Sequence, residues 1–212
     1  MTTTPDERAG AGLLLERADA AAATSPDEAA ALYRELLAAS PEHVEARLGL
    51  ARLLERRGEL TEAVTTLAAG LRRSPDQADL LLLRGALLGR MQRYGEAEAD
   101  LREVLRANPA HGPAHFELGQ LYWRKGVAPE AVTHFSKSLE YQPENGRVFY
   151  HLAEALNLIG DLAGASAMLD RALVATPTDG KVYHLRGRVL DRLGRPDEAR
   201  EMYQRSRELQ AL

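Results

Sequence analysis

Residues 112–145 read GPAHFELGQLYWRKGVAPEAVTHFSKSLEYQPEN, and the features of that stretch recur along the whole 212-residue chain. Its proline, Pro143, belongs to a series at Pro41, Pro75, Pro109, Pro143 and Pro177, each 34 residues after the last. Its alanine, Ala131, belongs to another at Ala29, Ala63, Ala97, Ala131, Ala165 and Ala199, with the same period. Two independent combs with one period mean an array of repeated structural units.

Units of 34 residues start at Gly10, Val44, Ala78, Gly112, Gly146 and Gly180. Numbered from 1 within each unit, position 8 is small in five of them: Ala51, Gly85, Gly119, Ala153 and Gly187. Position 24 is large throughout (Tyr33, Leu67, Leu101, Phe135, Leu169, Tyr203), and position 15 is glycine at Gly58, Gly126, Gly160 and Gly194. Small residues at positions 8 and 20 let two antiparallel helices approach, and the bulk at 24 fills the space beside them. A glycine near position 15 lets the chain leave the first helix in a left-handed conformation. Proline at position 32 cannot continue the second helix and sets the turn into the next unit. Positions 4, 7, 8 and 11 fall at helical spacing and are mostly apolar or small, as one buried face requires. Arg47, Arg84 and Arg186 depart from that pattern.

The fourth unit, with Leu118, Gly119, Tyr122, Ala131, Phe135 and Pro143, resembles the tetratricopeptide repeat, departing from it where His115 stands for the first Trp. That resemblance implies an all-α fold, a right-handed α-solenoid or superhelix of antiparallel helix pairs. The expected organisation is a disordered tail over residues 1–9. A single solenoid over 10–212 follows, with repeats 10–43, 44–77, 78–111, 112–145, 146–179 and 180–212.

The two ends of an array need polar outer faces. Position 28 is Leu37, Leu71, Leu105, Leu139 and Leu173 in the first five units, then Arg207 in the sixth. Burying each leucine is worth about 1.5–3 kcal/mol, so this exchange predicts that a helix over 196–210 serves as a solvated cap. The first unit carries Glu16 and Arg17 at positions 7 and 8, which predicts an exposed cap there too. Thr24 to Glu28 reads as a helix start, with a capping hydroxyl, a proline in the first turn and acidic residues beside the dipole.

Composition narrows the function. Lys and Arg number 27 against 31 Asp and Glu, a formal charge of -4, without the basic footprint of a general nucleic-acid binder. The absence of cysteine excludes disulfides, a thiol nucleophile and Cys-ligated zinc. The first ten residues do not resemble a secretory signal, and the apolar runs are too short to span a membrane. The expected location is cytoplasmic. His111 and His115 are four apart, but Gly112 and Pro113 between them mark a turn, so a shared metal is not expected. No phosphate-loop, dinucleotide or zinc-protease motif occurs, and His134 near Ser136 and Ser138 is adjacency rather than a triad. Neither enzymatic activity nor a cofactor is expected.

The resemblance further implies that the first helix of each unit lines a concave ligand groove through positions 2, 5, 9, 12 and 13. The candidate partner-binding residues on those positions are Arg52, Arg90, Phe116, Gln120, Trp123, Arg124, Arg147, Tyr150, Asn157, His184 and Arg188. Cations outnumber acids there, and large aromatics flanked by Arg are hot-spot material. They suit a partner peptide or helix with acidic and apolar anchor residues. The clamp by which some family members hold acidic chaperone tails needs Lys at position 5 and Asn at position 9. Neither occurs at those positions in any unit. The competing reading is a homo-oligomer assembled through an end face or the convex surface.

Overall fold

The computed structural model describes residues 5–211, and among these the regular structure is entirely helical. Twelve helices form six hairpins, divided between two compact units, Met1–Ala107 and Asn108–Leu212. In the first unit α1 (Pro5–Thr24) packs on α2 (Pro26–Ala39), α3 (Val44–Arg56) on α4 (Leu60–Leu71), and α5 (Ala78–Arg90) on α6 (Tyr94–Ala107). The second holds α7 (Gly112–Arg124) with α8 (Ala128–Tyr141), α9 (Gly146–Ile159) with α10 (Leu162–Ala175), and α11 (Gly180–Arg192) with α12 (Pro196–Gln210). The expected all-α solenoid class of helix pairs is the one observed.

Helix boundaries follow from the repeat chemistry. Gly58, Gly126, Gly160 and Gly194 all adopt positive φ, between 73° and 89°, and end the first helices of their hairpins. Gln92 does the same work in the third repeat at φ 61°, a conformation costly for a residue with a Cβ. Position 34 supplies a helix cap. The Nδ1 of His43 accepts from the Ala46 amide at 3.3 Å, and that of His111 from the Ala114 amide at 3.1 Å. Asn145 and Asp179 do likewise for α9 and α11.

The helix pairs close where the small and large residues meet. A Cβ placed on Gly119 would lie 2.5 Å from the ring of the fully buried Phe135, so glycine there is a requirement of close approach. The three arginines on the apolar face are each given partners. Arg47 is buried across Gly70 and donates to the carbonyls of Thr66, at 3.0 Å, and Pro41. Arg84 forms a two-pronged pair with Asp100 at 2.6 and 2.7 Å. Arg186 donates to the carbonyl and hydroxyl of Ser166, at 2.8 and 2.6 Å, and pairs with Asp170 at 2.8 Å.

Three expectations need adjustment. The seam runs through position 27 rather than 28: Leu36, Gly70, Val104, Ser138, Ala172 and Ser206 are all buried. Of the position-28 leucines only Leu71 is buried, while Leu37, Leu105, Leu139 and Leu173 are half-exposed and Arg207 is exposed. The second helix therefore buries the residue one position earlier than expected, even in the last repeat, where the Ser206 hydroxyl donates to the Gly180 carbonyl of its own hairpin. In the first repeat Glu16 and Arg17 are exposed, as the expected cap requires, with Ala18 rather than residue 17 as the buried small residue. Lacking a glycine at position 15, α1 stays helical through Thr24, and a single residue, Ser25, joins it to α2. Ser25 does occupy the N-cap ahead of Pro26, Asp27 and Glu28, yet its hydroxyl makes no capping bond. Residues 5–9 of the expected tail fall within α1, and residues 1–4 lie outside the described residues. At the other end α12 buries Ala199 and Ser206 and exposes most of the rest.

Candidate functional site

In the first unit the candidate positions are few and partly occupied. Arg52 is exposed on α3, and Arg90 at the end of α5 forms an ion pair with Glu55 of α3. Leu48 and Leu82, at the groove position where the second unit carries aromatics, are buried and half-buried.

The second unit is built differently. Phe116 is buried in the unit's core, 5.8 Å from Phe135 and 5.7 Å from His151 between ring centres. Gln120 and Asn157 are buried as well, and Asn157 Oδ1 accepts from Arg192 at 2.6 Å. These three residues, expected to face a partner, are instead part of the packing. Phe116 and Asn157 sit where one first helix meets the next, α7 against α9 and α9 against α11. Trp123 and Tyr150 are half-buried, with their inner edges on the same core. Arg124, Arg147, His184 and Arg188 are exposed, and the Arg147 guanidinium lies 5.2 Å from the Phe116 ring centre, covering it from outside.

Charge on this face is unbalanced. Glu154 is engaged through both oxygens, accepting from the Tyr150 hydroxyl at 3.0 Å and from His151 Nδ1 at 3.1 Å. Burial and then the neighbouring Glu154 push the Tyr150 phenol upward. Asp191 accepts from the Tyr203 hydroxyl at 2.7 Å, and burial together with that bond pushes Tyr203 up to about 12. Among the described residues no carboxylate pairs with Arg124, Arg147, Lys181 or Arg188. Arg147 and Lys181 flank a cleft of about 290 Å³ at the N-terminal ends of α9 and α11, lined also by Tyr150, His151, Thr176 and Asp179. Lys181 and His151 were outside the candidate set. Lys181 was legible as a position-2 cation, while His151 sits at a position that no groove rule includes. A larger cleft, of about 610 Å³, lies away from these positions, over Phe149 and Arg171 beside α10.

The remaining histidines have structural roles. His115 is buried, with Nε2 3.1 Å from the Pro109 carbonyl and Nδ1 3.1 Å from Nδ1 of His134. The carbonyl only accepts, so Nε2 of His115 carries the proton and its Nδ1 accepts from His134. Desolvation pulls His115 below the ordinary histidine range. Among the described residues no three His, Cys, Asp or Glu side chains converge as a metal site would require, and no helix is long and apolar enough to cross a membrane.

The family model of the tetratricopeptide repeat matches residues 20–87 and 126–189, well over half of the chain. The chain belongs to the tetratricopeptide repeat family. Further models described by the same words match residues 82–139 and 181–205. No curated protein sequence matches. Among solved structures, a tetratricopeptide repeat protein from Parabacteroides merdae is similar at TM-score 0.75 and 20% identity, over 94% of this chain and 78% of that one. The Cut9–Hcn1 hetero-tetramer of the APC/C reaches TM-score 0.83 at 17% identity, over 94% of this chain and 40% of that one. YrrB, described as a tetratricopeptide protein with an unusual peptide-binding site, gives TM-score 0.65 at 17% identity, over 84% and 92% of the two chains. At these identities the likeness speaks for the tetratricopeptide fold.

Proposed function

We propose that this tetratricopeptide protein is a non-enzymatic scaffold whose first-helix face in the second unit holds a segment of a partner protein. The observation that carries the reading is the set of four cations, Arg124, Arg147, Lys181 and Arg188, left without carboxylates beside the half-buried Trp123 and Tyr150. Several other arginines are spent on the fold, as in Arg57 with Asp27, Arg84 with Asp100 and Arg93 with Glu96. Exposed cations around an aromatic edge match a peptide or helix with acidic and apolar anchors. A peptide-binding site in the similar fold of YrrB supports a protein ligand in kind, not in identity. The test is affinity capture from native lysate with wild type, Trp123→Ala and Arg124→Glu, with circular dichroism as the folding control. Both variants should keep full helicity and lose the captured partner. If both retain it, the assignment to this face is wrong.

One observation favours self-association as a second reading. Leu158, Ile159 and Leu193 are exposed at the C-terminal ends of α9 and α11. Light scattering across a concentration series tests it, since a strict monomer at high concentration leaves that patch without a partner copy.

A further inference from the structure

We infer that the cleft between the N-terminal ends of α9 and α11 takes a side-chain carboxylate of the partner, a conclusion that rests on the binding face proposed above. Its size comes first. About 290 Å³ is at or below the range for whole small-molecule ligands and suits one side chain.

Its charge comes next. Arg147 and Lys181 stand at the same repeat position on successive first helices, both exposed and both on the cleft wall. The Arg147 guanidinium is held over Phe116 and no carboxylate engages its N–H groups, which leaves them for a ligand. The nearest acids are occupied. Asp179 accepts from the Lys181 backbone amide at 2.9 Å as the cap of α11, and Glu154 has both oxygens committed to Tyr150 and His151. Tyr150 gives its proton to Glu154, so it offers the cleft only an accepting oxygen.

Three cations, Arg147, Lys181 and, beside Tyr150, Arg188, against the carboxylates of Asp179 and Glu154 leave room for one more negative charge. A monoanion balances the site, and a dianion such as a phosphate overshoots it beside Asp179 and Glu154. An acidic residue with an apolar neighbour therefore fits best, its carboxylate on Arg147 and Lys181 and its apolar group toward the Tyr150 ring.

The experiment uses the full chain and two fluorescein-labelled eight-residue peptides, one alternating Leu and Glu, the other Leu and Gln, read by fluorescence anisotropy. Wild type should bind the Glu peptide about tenfold more tightly, which corresponds to about 1.4 kcal/mol. That preference should shrink in 0.5 M salt, where the screening length falls to a few ångströms. The double variant R147E/K181E should lose the preference with unchanged circular dichroism. Equal affinity for the two peptides in wild type, a preference that survives R147E/K181E, or no binding of either peptide overturns the carboxylate site. Failure of the underlying reading looks different: Trp123→Ala then leaves the affinity for both peptides unchanged.

Discussion

The two units differ in how many first-helix cations they leave at the surface. In residues 1–107 three arginines of the first helices are drawn into the fold: Arg47 onto backbone carbonyls, Arg84 onto Asp100, and Arg90 onto Glu55. In residues 108–212 Arg186 is treated the same way, but Arg124, Arg147, Lys181 and Arg188 are left at the surface around two aromatic edges. The same residue type on the same repeat frame is structural in one place and available in another. What separates the two is whether a carboxylate or a spare carbonyl lies across the helix pair. Arg84 and Arg186 at position 7 meet a carboxylate of the second helix, whereas Arg147 and Lys181 at position 2 are exposed and meet none; position 13 goes either way, with Arg90 on Glu55, Arg192 on Asn157 and Arg124 without a carboxylate.

The largest test of that contrast removes a partner from the first unit. Asp100→Ala leaves Arg84 desolvated and unpaired, and chemical unfolding should show a loss of about 3 kcal/mol. A loss below 1 kcal/mol means Arg84 reaches water, and the division into structural and available arginines fails. Next in size, Gly119→Ala drives a Cβ into the Phe135 ring and should cost about 2 kcal/mol by the same measurement. No such penalty attends Gly126, whose surroundings are open but whose φ of 75° is the constraint.

A third test concerns pH and the buried His115. Its folded pKa lies below the unfolded value near 6.5, so the unfolded chain takes up the proton first as pH falls. The stability contributed by neutral His115 is complete above 6.5 and is lost progressively below it. Glu140 acts to soften the effect, whereas Lys137 and the neighbouring His111 reinforce it. Urea unfolding at pH 7.5 and 5.5 should show a weaker protein at the lower pH, with a shallower dependence in His115→Phe. A pH dependence identical in the two proteins places the titration elsewhere. The smallest effect is a gain. Gln92→Gly relieves a left-handed residue in the first unit and should stabilise by about 0.5–1 kcal/mol, less than the strain itself because glycine is freer when unfolded.

How much of this was legible in the sequence depends on whether the relevant partner is fixed by the repeat. Gly58, Gly126, Gly160 and Gly194 were legible because a turn of fixed length needs positive φ at one position in every hairpin. The pairing of Phe135 with Gly119 was legible because both lie within one hairpin, at a separation the repeat holds constant. Phe116, Gln120 and Asn157 were misread as facing a partner because they lie on the flank of the first helix. Whether that flank is groove or seam depends on how closely the next first helix approaches, and side chains from a different repeat set that approach. The exposed cap of the first repeat was legible from Glu16 and Arg17, but its register was not, for a local reason. Without a glycine to end it, α1 continues to Thr24 and presents Ala18 where the repeat frame called for residue 17.

The sequence by itself determined the hairpin, its period and its turns, because these rest on spacing and on single-residue backbone preferences. Only the tertiary structure decided which polar side chains are consumed by the fold and which remain for a partner. That choice turns on distances of a few ångströms between side chains from different helices, such as Arg84 to Asp100 or Arg147 to the Phe116 ring, and a one-dimensional pattern does not encode them.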